Sequence, residues 1–415
     1  MLNIFLITLA VLALLSIIFE EVTHLNKAKT TLFLGCVAWI TLFVAAKDPQ
    51  HQQLINGELN ENLLEIATLW LFLMSTMTFV AYLNAKGMIQ VIVQKLFPAK
   101  VSVRMLMIQV ALFALFLSAI CDNVTATLVS LGLLTTFRLE STVKRRMAVL
   151  IIFAVNSGGV SLITGDVTTL MIFLEGHVHI SQLLMLFIPA AASVMLLATL
   201  FSLKSEGHVS TTPINRQYQT IDVVIALIFL CTIILTMVFN ILFGIPPVLT
   251  FLLGLSVMFL VGTLSRTSKE ELQILEYIRQ VEFDTLLFFL GILLLVGMLK
   301  EIGTLHLLTE VYTQFNPNIS NFVTGIGSAI LDNVPLTAAL LKADPILTTP
   351  EWLGLTYSVG VGGSLLVIGS AAGIIAMSKV KELTFVSYLR YVPALTLCYC
   401  VGYGLTLLLA YSIFG

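Results

Sequence analysis

Long apolar runs separated by short polar segments dominate this chain. The first, Leu2 to Phe19, has no positive residue before it and no A-x-A cleavage pattern after it, so it is expected to remain as a membrane span. Runs long enough to cross about 30 Å of hydrocarbon follow at 29–46, 63–83, 147–174, 182–203, 219–242, 246–263, 283–299, 352–378 and 388–413. Ten crossings are therefore predicted.

Two further apolar stretches do not read as simple crossings. From Met105 to Phe137 only Asp122 is charged, and a continuous helix over that stretch would be about 50 Å long. It should fold back at Cys121-Asp122-Asn123-Val124-Thr125. Ile319 to Leu341 breaks in the same way at Leu331-Asp332-Asn333-Val334-Pro335, where the proline removes a backbone donor. Both are expected to be re-entrant hairpins, over 103–137 and 319–342. The distribution of Lys and Arg tests this independently. With both hairpins re-entrant, 18 basic residues fall on one side and only Lys47, Lys300 and Lys342 on the other. If both hairpins crossed, the split would be 10 to 11, and if only the second crossed, 16 to 5. The re-entrant topology predicts both termini outside, with the first hairpin entering from the cytoplasm and the second from the opposite face.

The order of these features recurs. Thr31-Leu32-Phe33-Leu34-Gly35 resembles Thr250-Phe251-Leu252-Leu253-Gly254, and Glu65-Ile66-Ala67-Thr68-Leu69 resembles Glu282-Phe283-Asp284-Thr285-Leu286. Ser118-Ala119-Ile120-Cys121-Asp122-Asn123-Val124 matches Ser328-Ala329-Ile330-Leu331-Asp332-Asn333-Val334, and Gly158, Gly159 and Gly165 match Gly362, Gly363 and Gly369. The offsets drift smoothly, 219, 217, 210 and 204. An odd number of crossings per half turns the second half upside down, the inverted-repeat plan of secondary transporters. The expected fold is an all-α polytopic membrane protein with five transmembrane helices and one re-entrant hairpin per half. Broken helices are expected at 147–175 and 352–378, meeting near the midplane. Residues 1–204 form the first repeat, 205–218 a cytoplasmic linker and 219–415 the second repeat.

Composition agrees with this class. The chain is 58% hydrophobic and 11% charged, against about 25% charged in soluble proteins, and its mean hydropathy is +1.02. A formal charge of −2 and the lack of any basic run exclude a nucleic-acid partner that binds by charge. The five cysteines lie in apolar stretches without metal-ligand spacing and read as small hydrophobes. No P-loop, GxSxG, HExxH or EF-hand pattern occurs, so neither an enzyme nor an ATP-driven pump is expected, and no cofactor.

Of the 23 acidic residues, 20 fall in loops or near helix ends. Asp122, Asp166 and Asp332 remain. Ionisable groups inside a membrane are costly and mark ion pathways, although each aspartate could instead only cap a helix at its break. Two Asp-Asn pairs at symmetric positions favour a site. The partner elements are glycine-rich interruptions. The first runs Asn156-Ser157-Gly158-Gly159-Val160-Ser161 and on to Thr164-Gly165-Asp166-Val167-Thr168-Thr169; the second runs Ser358-Val359-Gly360-Val361-Gly362-Gly363-Ser364 and on to Gly369-Ser370. Unwound backbone there would expose carbonyls able to ligate a small cation together with carboxylate, amide and hydroxyl oxygens; close helix packing through small residues is the other reading. Low dielectric disfavours an ionised carboxylate and a bound cation favours it. Proton and cation would then compete for the same oxygens, which suffices for antiport. Asp166 aligns with Ser370 and Asn156 with Gly360, so Asp122 and Asp166 are expected to matter more than Asp332. The six histidines read as loop residues, and Lys300-Glu301 as an interfacial pair.

These motifs resemble the NhaD-type sodium/proton antiporters of the ion transporter superfamily. The likeness lies in residues 118–127, 156–169, 331–339 and 362–373 and in DTLLFFLGILLLVGML at 284–299, and runs from about Lys29 onward. The resemblance places the family's polar membrane residues on Asp122, Asn123, Asn156, Asp166, Thr168, Asp332, Asn333, Ser364 and Ser370; with Thr125 and Ser157 added from the residues themselves, these are expected to bind cation and proton, with Na+ held by Asp122, Asn123, Asn156 and Asp166. It implies Na+, Li+ and H+ as transported partners, a homodimer in the lipid bilayer and elevator-like access. Dicarboxylate, citrate and arsenite carriers share the superfamily, so a Na+-coupled carrier of an anionic or neutral solute is the alternative. In the dicarboxylate relatives the tips carry Ser-Asn-Thr, whereas both tips here carry Asp-Asn, which repels an organic dianion and attracts a cation.

Overall fold

The computed structural model describes residues 2–18, 23, 25–46, 48–88, 100–134, 137, 139–203, 205–210, 219–264, 277–279 and 283–415. Among the described residues the chain opens with α1 (Leu2–Ile18), α2 (Lys27–Ala45) and α3 (Pro49–Ala85). The last begins well before the apolar run at 63. Asp48 accepts the His51 N–H at 2.8 Å and Pro49 fixes the first turn, so the helix starts in polar sequence. At 37 residues it is roughly 55 Å long, more than a bilayer core.

Next come α4 (Val103–Ile120) and α5 (Asn123–Leu134), broken at Cys121-Asp122, then α6 (Ser141–Gly159) and α7 (Val167–Leu174), separated by an irregular segment at 160–166. The short α8 (Ile180–Met185) leads into α9 (Phe187–Leu203). Among the described residues α10 (Thr220–Phe243), α11 (Pro247–Leu264) and α12 (Phe283–Glu301) come next, ahead of a short α13 (His306–Gln314). The pair α14 (Pro317–Ser328) and α15 (Asn333–Ala343) follows, then α16 (Thr349–Gly362) and α17 (Ala371–Lys379), again separated by irregular backbone, and finally α18 (Phe385–Leu389) and α19 (Val392–Phe414). Pro335 lies in the first turn of α15, where a missing N–H is tolerated, so it helps to start this helix. Asp332 is the N-cap that sets the break.

Among the described residues seven helical segments are long and apolar enough to cross a membrane, which makes this a multi-pass membrane protein. Six of them correspond to predicted crossings, and the seventh is α4, the first arm of the hairpin. The other four predicted crossings are α1 and α11, which fall just short, and the two broken pairs α6/α7 and α16/α17. Among the described residues the fold is helical apart from a small sheet in which β1 (Lys100–Ser102) pairs antiparallel with β2 (His208–Ser210), Val101 opposite Val209. Residues 205–210, expected as linker, thus partly pair back onto the start of the first hairpin. The end of that hairpin at 135–136, residue 204 and the rest of the linker at 211–218 lie outside the described residues, as do seven of the basic residues that enter the charge count: Lys47, Lys95, Arg138, Lys204, Arg216, Arg266 and Lys269.

Packing divides the helices into two groups. One contains α1, α2, α3, α10, α11 and α12, with α12 wedged between α2 and α3. Side chains stitch it together: Trp39 Nε1 donates to the Leu294 carbonyl at 2.8 Å, Trp70 Nε1 to Leu286 at 2.8 Å, and Asn62 Nδ2 to Leu293 at 3.1 Å. The second group contains the hairpins, the broken helices, α9 and α19. Within it each hairpin helix packs on the broken helix of its own half, α4 on α6 and α14 on α16. The returning arms cross over: α5 packs on α17, and α15 on α7. The main contact between the groups is α12 against α15.

Glycines allow the close approach of hairpin and broken helix. A Cβ on Gly158 would lie 2.2 Å from the Leu115 carbonyl oxygen, and one on Gly362 would lie 2.0 Å from that of Gly325. Ser118 Oγ donates to the Val155 carbonyl at 2.7 Å and Ser328 Oγ to that of Val359 at 2.8 Å. Helix packing, one of the two readings of these glycines, is therefore part of their role.

Candidate functional site

The helix breaks bring four helix N-termini, those of α5, α7, α15 and α17, to a cavity of about 170 Å³ lined by Asp122, Asn123, Asp166, Asp332, Asn333 and Ser370. Asp166, the N-cap of α7, is 5% exposed. Its Oδ1 accepts the Thr168 N–H at 3.2 Å, and its Oδ2 accepts Asn333 Nδ2 at 3.2 Å from the second hairpin. Asn123, from the first hairpin, lines the same cavity, and its Oδ1 accepts Ser118 Oγ at 2.8 Å. The carboxylate of the first broken helix is thus bonded by an amide of the second hairpin tip, with an amide of the first tip lining the same cavity. Gly360 of the opposite broken helix leaves room for Val160, next to the first glycine cluster: a Cβ there would stand 2.3 Å from Val160 Cγ1.

The other two aspartates are held differently. Asp332 caps α15 with Oδ1, which accepts the Val334 N–H at 3.3 Å, and turns Oδ2 to Lys27 Nζ at 3.3 Å. Asp122 accepts both the N–H of Thr125 at 2.9 Å and its hydroxyl at 2.8 Å, one on each carboxylate oxygen. Capping and site-building are therefore compatible, because one oxygen caps and the second is offered elsewhere in Asp166 and Asp332. On this geometry Asp332 meets a second charged group, Lys27, while both oxygens of Asp122 are engaged by Thr125.

Asn156 and Ser157 lie behind the cavity wall, fully buried. Asn156 Nδ2 donates to the Ile152 carbonyl at 2.9 Å and to Ser370 Oγ at 3.0 Å across the two halves. Asn156 Oδ1 and Ser157 Oγ are buried without a hydrogen-bond partner, an arrangement that leaves oxygen available to a cation. Ser364 is placed apart from the cavity and donates back to the Val361 carbonyl at 2.6 Å. Among the described residues no three His, Cys, Asp or Glu side chains gather into one metal-holding cluster, so the three aspartates are spread around the cavity rather than drawn into one cage.

Against this geometry, comparison with known proteins is informative. The profile of the citrate transporter family, CitMHS, matches residues 2–360. The chain is 30% identical to the Na+/H+ antiporter NhaD of Vibrio cholerae, over 96% of this chain and 90% of that protein. The chain belongs to the NhaD-type antiporters. It is also 30% identical to the NhaD of Vibrio parahaemolyticus, over 90% of this chain and 98% of the relative. Sodium/proton antiporter 2 of Arabidopsis thaliana is 29% identical over 91% of this chain and 92% of its own length. These relatives are transporters, not enzymes.

The fold of this NhaD-type antiporter also brings residues to the cavity that sequence reasoning passed over. Asn26, Lys27 and Asp284 line it, and Asn26 Nδ2 donates to Asp284 Oδ2 at 3.0 Å. Each sits at a predicted helix start, where a polar residue needs no explanation, so only the packing of α2 and α12 against the hairpin tip reveals them. Asp222, assigned to a solvated helix end, is 3% exposed and accepts the Tyr82 hydroxyl at 2.7 Å. Glu65 pairs with Lys342, and Lys300 lies 3.8 Å from Glu58 of α3, so its ionic partner belongs to a neighbouring helix. His177, at 21% side-chain exposure, stacks on Trp352 at 3.8 Å, and burial lowers its pKa.

Proposed function

We infer that this protein exchanges Na+, and also Li+, for H+ across a bacterial inner membrane. The observation that carries this reading is the hydrogen bond of Asn333, from the second hairpin tip, to the buried carboxylate of Asp166, with Asn123 of the first tip lining the same cavity. A carboxylate supplies the charge for a cation and the base for a proton, and the two amide side chains can turn their oxygens inward as ligands. Asp122 and Asp332 add negative charge at the rim, and the unpartnered oxygens of Asn156 and Ser157 stand behind it. Proton and cation cannot occupy the same lone pairs, so loading one releases the other. Exposing the loaded site alternately to each side then completes exchange.

In this reading the two halves are inverted repeats, the pairs α4/α5 and α14/α15 are re-entrant hairpins from opposite faces, and both termini are periplasmic. The matching serine-to-carbonyl bonds in the two halves and the crossed packing of the returning arms support it. The division into two helix groups supports elevator-like motion of the group that carries the site, within a homodimer.

The family match to citrate transporters raises a second reading, a Na+-coupled carrier of an anionic solute. Helix N-termini do attract anions. Here, however, the termini of α7 and α15 are capped by aspartates, which offset the helix dipole and repel a polycarboxylate. The test uses everted vesicles from an antiporter-deficient strain. With a respiratory pH gradient established, Na+, Li+, K+ and citrate are added in turn and acridine dequenching is followed. Collapse of the gradient on Na+ and Li+, absent from empty-vector vesicles, is expected. No response to any cation between pH 6.5 and 9.5, with the protein inserted, would overturn the antiport reading in favour of solute uptake.

A further inference from the structure

The site contains a cation of its own. Lys27, in the first turn of α2, reaches into the same cavity as Asp166 and places Nζ 3.3 Å from Asp332 Oδ2. The pair is largely withdrawn from water, at 19% side-chain exposure for Lys27 and 11% for Asp332. The Phe288 ring of α12 lies under the ammonium, 4.7 Å from centroid to nitrogen, a face that favours a positive charge. The lysine is thus positioned from both sides, by an anion and by an aromatic face. The oxygen it engages belongs to the residue adjacent to Asn333, whose amide holds Asp166 at 3.2 Å.

We propose that Lys27 is a tethered competitor for the transported cation: its ammonium engages Asp332 and is displaced from that carboxylate when Na+ enters the cavity. The inference rests on the antiport reading and deepens it by naming the residue that sets apparent cation affinity. An ammonium on a flexible stem can swing out of the cavity without unfolding its helix, because Lys27 sits in the first turn of α2. Its departure has a second effect. Lys27 belongs to the helix group of α2 and α12, while Asp332 belongs to the hairpin of the other group, so the pair ties the two groups together at the cavity. Displacement by the transported ion would loosen that tie when the site is loaded. Lys27 acts here as a positioning and affinity-setting residue; it transfers no proton in this scheme.

The test measures half-saturation by Na+ at pH 9, where proton competition is weakest, for wild type, Lys27→Gln, Lys27→Arg and the exposed neighbour Lys29→Gln. Lys27→Gln should lower the Na+ half-saturation about tenfold, equivalent to roughly 1.4 kcal/mol. Lys27→Arg, which keeps the charge, should return it towards the wild-type value. Lys29→Gln removes the same formal charge from the exposed side of the helix and should leave half-saturation unchanged. Equilibrium binding of radioactive Na+ to the purified, detergent-solubilised chain is measured alongside, so that a variant slow in transport is still informative. Tighter Na+ binding by Lys27→Gln in that assay supports the proposal even where its exchange is slow. A wild type that exchanges Na+, with Lys27→Gln binding Na+ no more tightly, overturns the proposal alone. A wild type that neither exchanges nor binds Na+ overturns the antiport reading and the proposal with it.

Discussion

Replacing Asp166 by Asn tests the centre of the site, because the two side chains have nearly the same shape. In the native structure the carboxylate accepts one bond from the α7 backbone and one from the Asn333 amide of the second hairpin. A sodium ion at roughly 3 Å from a carboxylate, at an effective dielectric of about 20, gains about 5 kcal/mol from that charge. Losing it corresponds to about four orders of magnitude in affinity. The amide also cannot take up a proton in the working pH range, so both limbs of the exchange cycle fail together. The fold should tolerate the change. The side-chain oxygen of the Asp166→Asn variant could still accept the Thr168 N–H, and Asn333 could rotate its amide to present an acceptor, leaving a stability change of about 1 kcal/mol. The expected result in everted vesicles is no cation-dependent dequenching at any accessible Na+ concentration, with the variant inserted at wild-type abundance. Exchange by Asp166→Asn with wild-type amplitude and half-saturation would refute the placement of the cation.

Removing one of the two hairpin amides by Asn333→Ala should weaken Na+ binding less than Asp166→Asn does, by about tenfold, since one ligand and no charge is lost; a loss as complete as that of the aspartate variant would contradict the assignment. Gly362→Ala would place a methyl 2.0 Å from the Gly325 carbonyl oxygen, and the resulting overpacking should cost about 1–3 kcal/mol, read as an earlier melting transition in detergent. An unchanged transition would show that α14 and α16 yield more easily than their geometry implies. For His177, burial against Trp352 holds the folded-state pKa below the unfolded value, which is about 6.5. Its contribution is therefore whole above about pH 6.5 and declines as pH falls through that value towards the folded pKa. Thermal stability should drop between pH 7.5 and 5.5 more in wild type than in His177→Phe, and equal drops would remove the histidine from the account.

Much of the fold could be read from the sequence because the strongest signals were interruptions of apolar runs. Asp122-Asn123 and Asp332-Asn333 had to end a helix or occupy a membrane at a cost, and both mark the breaks between paired helices. The glycine clusters at 158–165 and 362–369 likewise mark the irregular segments at 160–166 and 363–370. What could not be read were relations between distant helices. Lys27 and Asp284 look in sequence like ordinary residues of a helix start, and only the third dimension sets them beside Asp332 and Asn26. Glu65 carried a repeat signal, yet its pairing with Lys342 spans the boundary between the helix groups, which local pattern does not encode. The polar start of α3 was missed for the opposite reason: hydropathy locates the membrane part of a helix and is blind to a helix that continues in water.

The helix α15 is tied at both ends to the group of α2, α3 and α12, by Asp332 with Lys27 at one end and Lys342 with Glu65 at the other. Those fastenings differ in kind from the bonds inside the latter group, where indole and amide side chains grip carbonyl oxygens of a neighbouring helix. A buried indole or amide N–H deprived of its acceptor finds no substitute in an apolar interior. The two ion pairs, by contrast, keep part of their surface open, 19% and 11% for Lys27 and Asp332 and 9% and 30% for Lys342 and Glu65, so each charge has a path to solvent on separation. The molecule therefore resembles a hinge pin held by two releasable clasps within a dry, riveted frame. Sliding along this boundary should consequently be far easier than deforming either side of it.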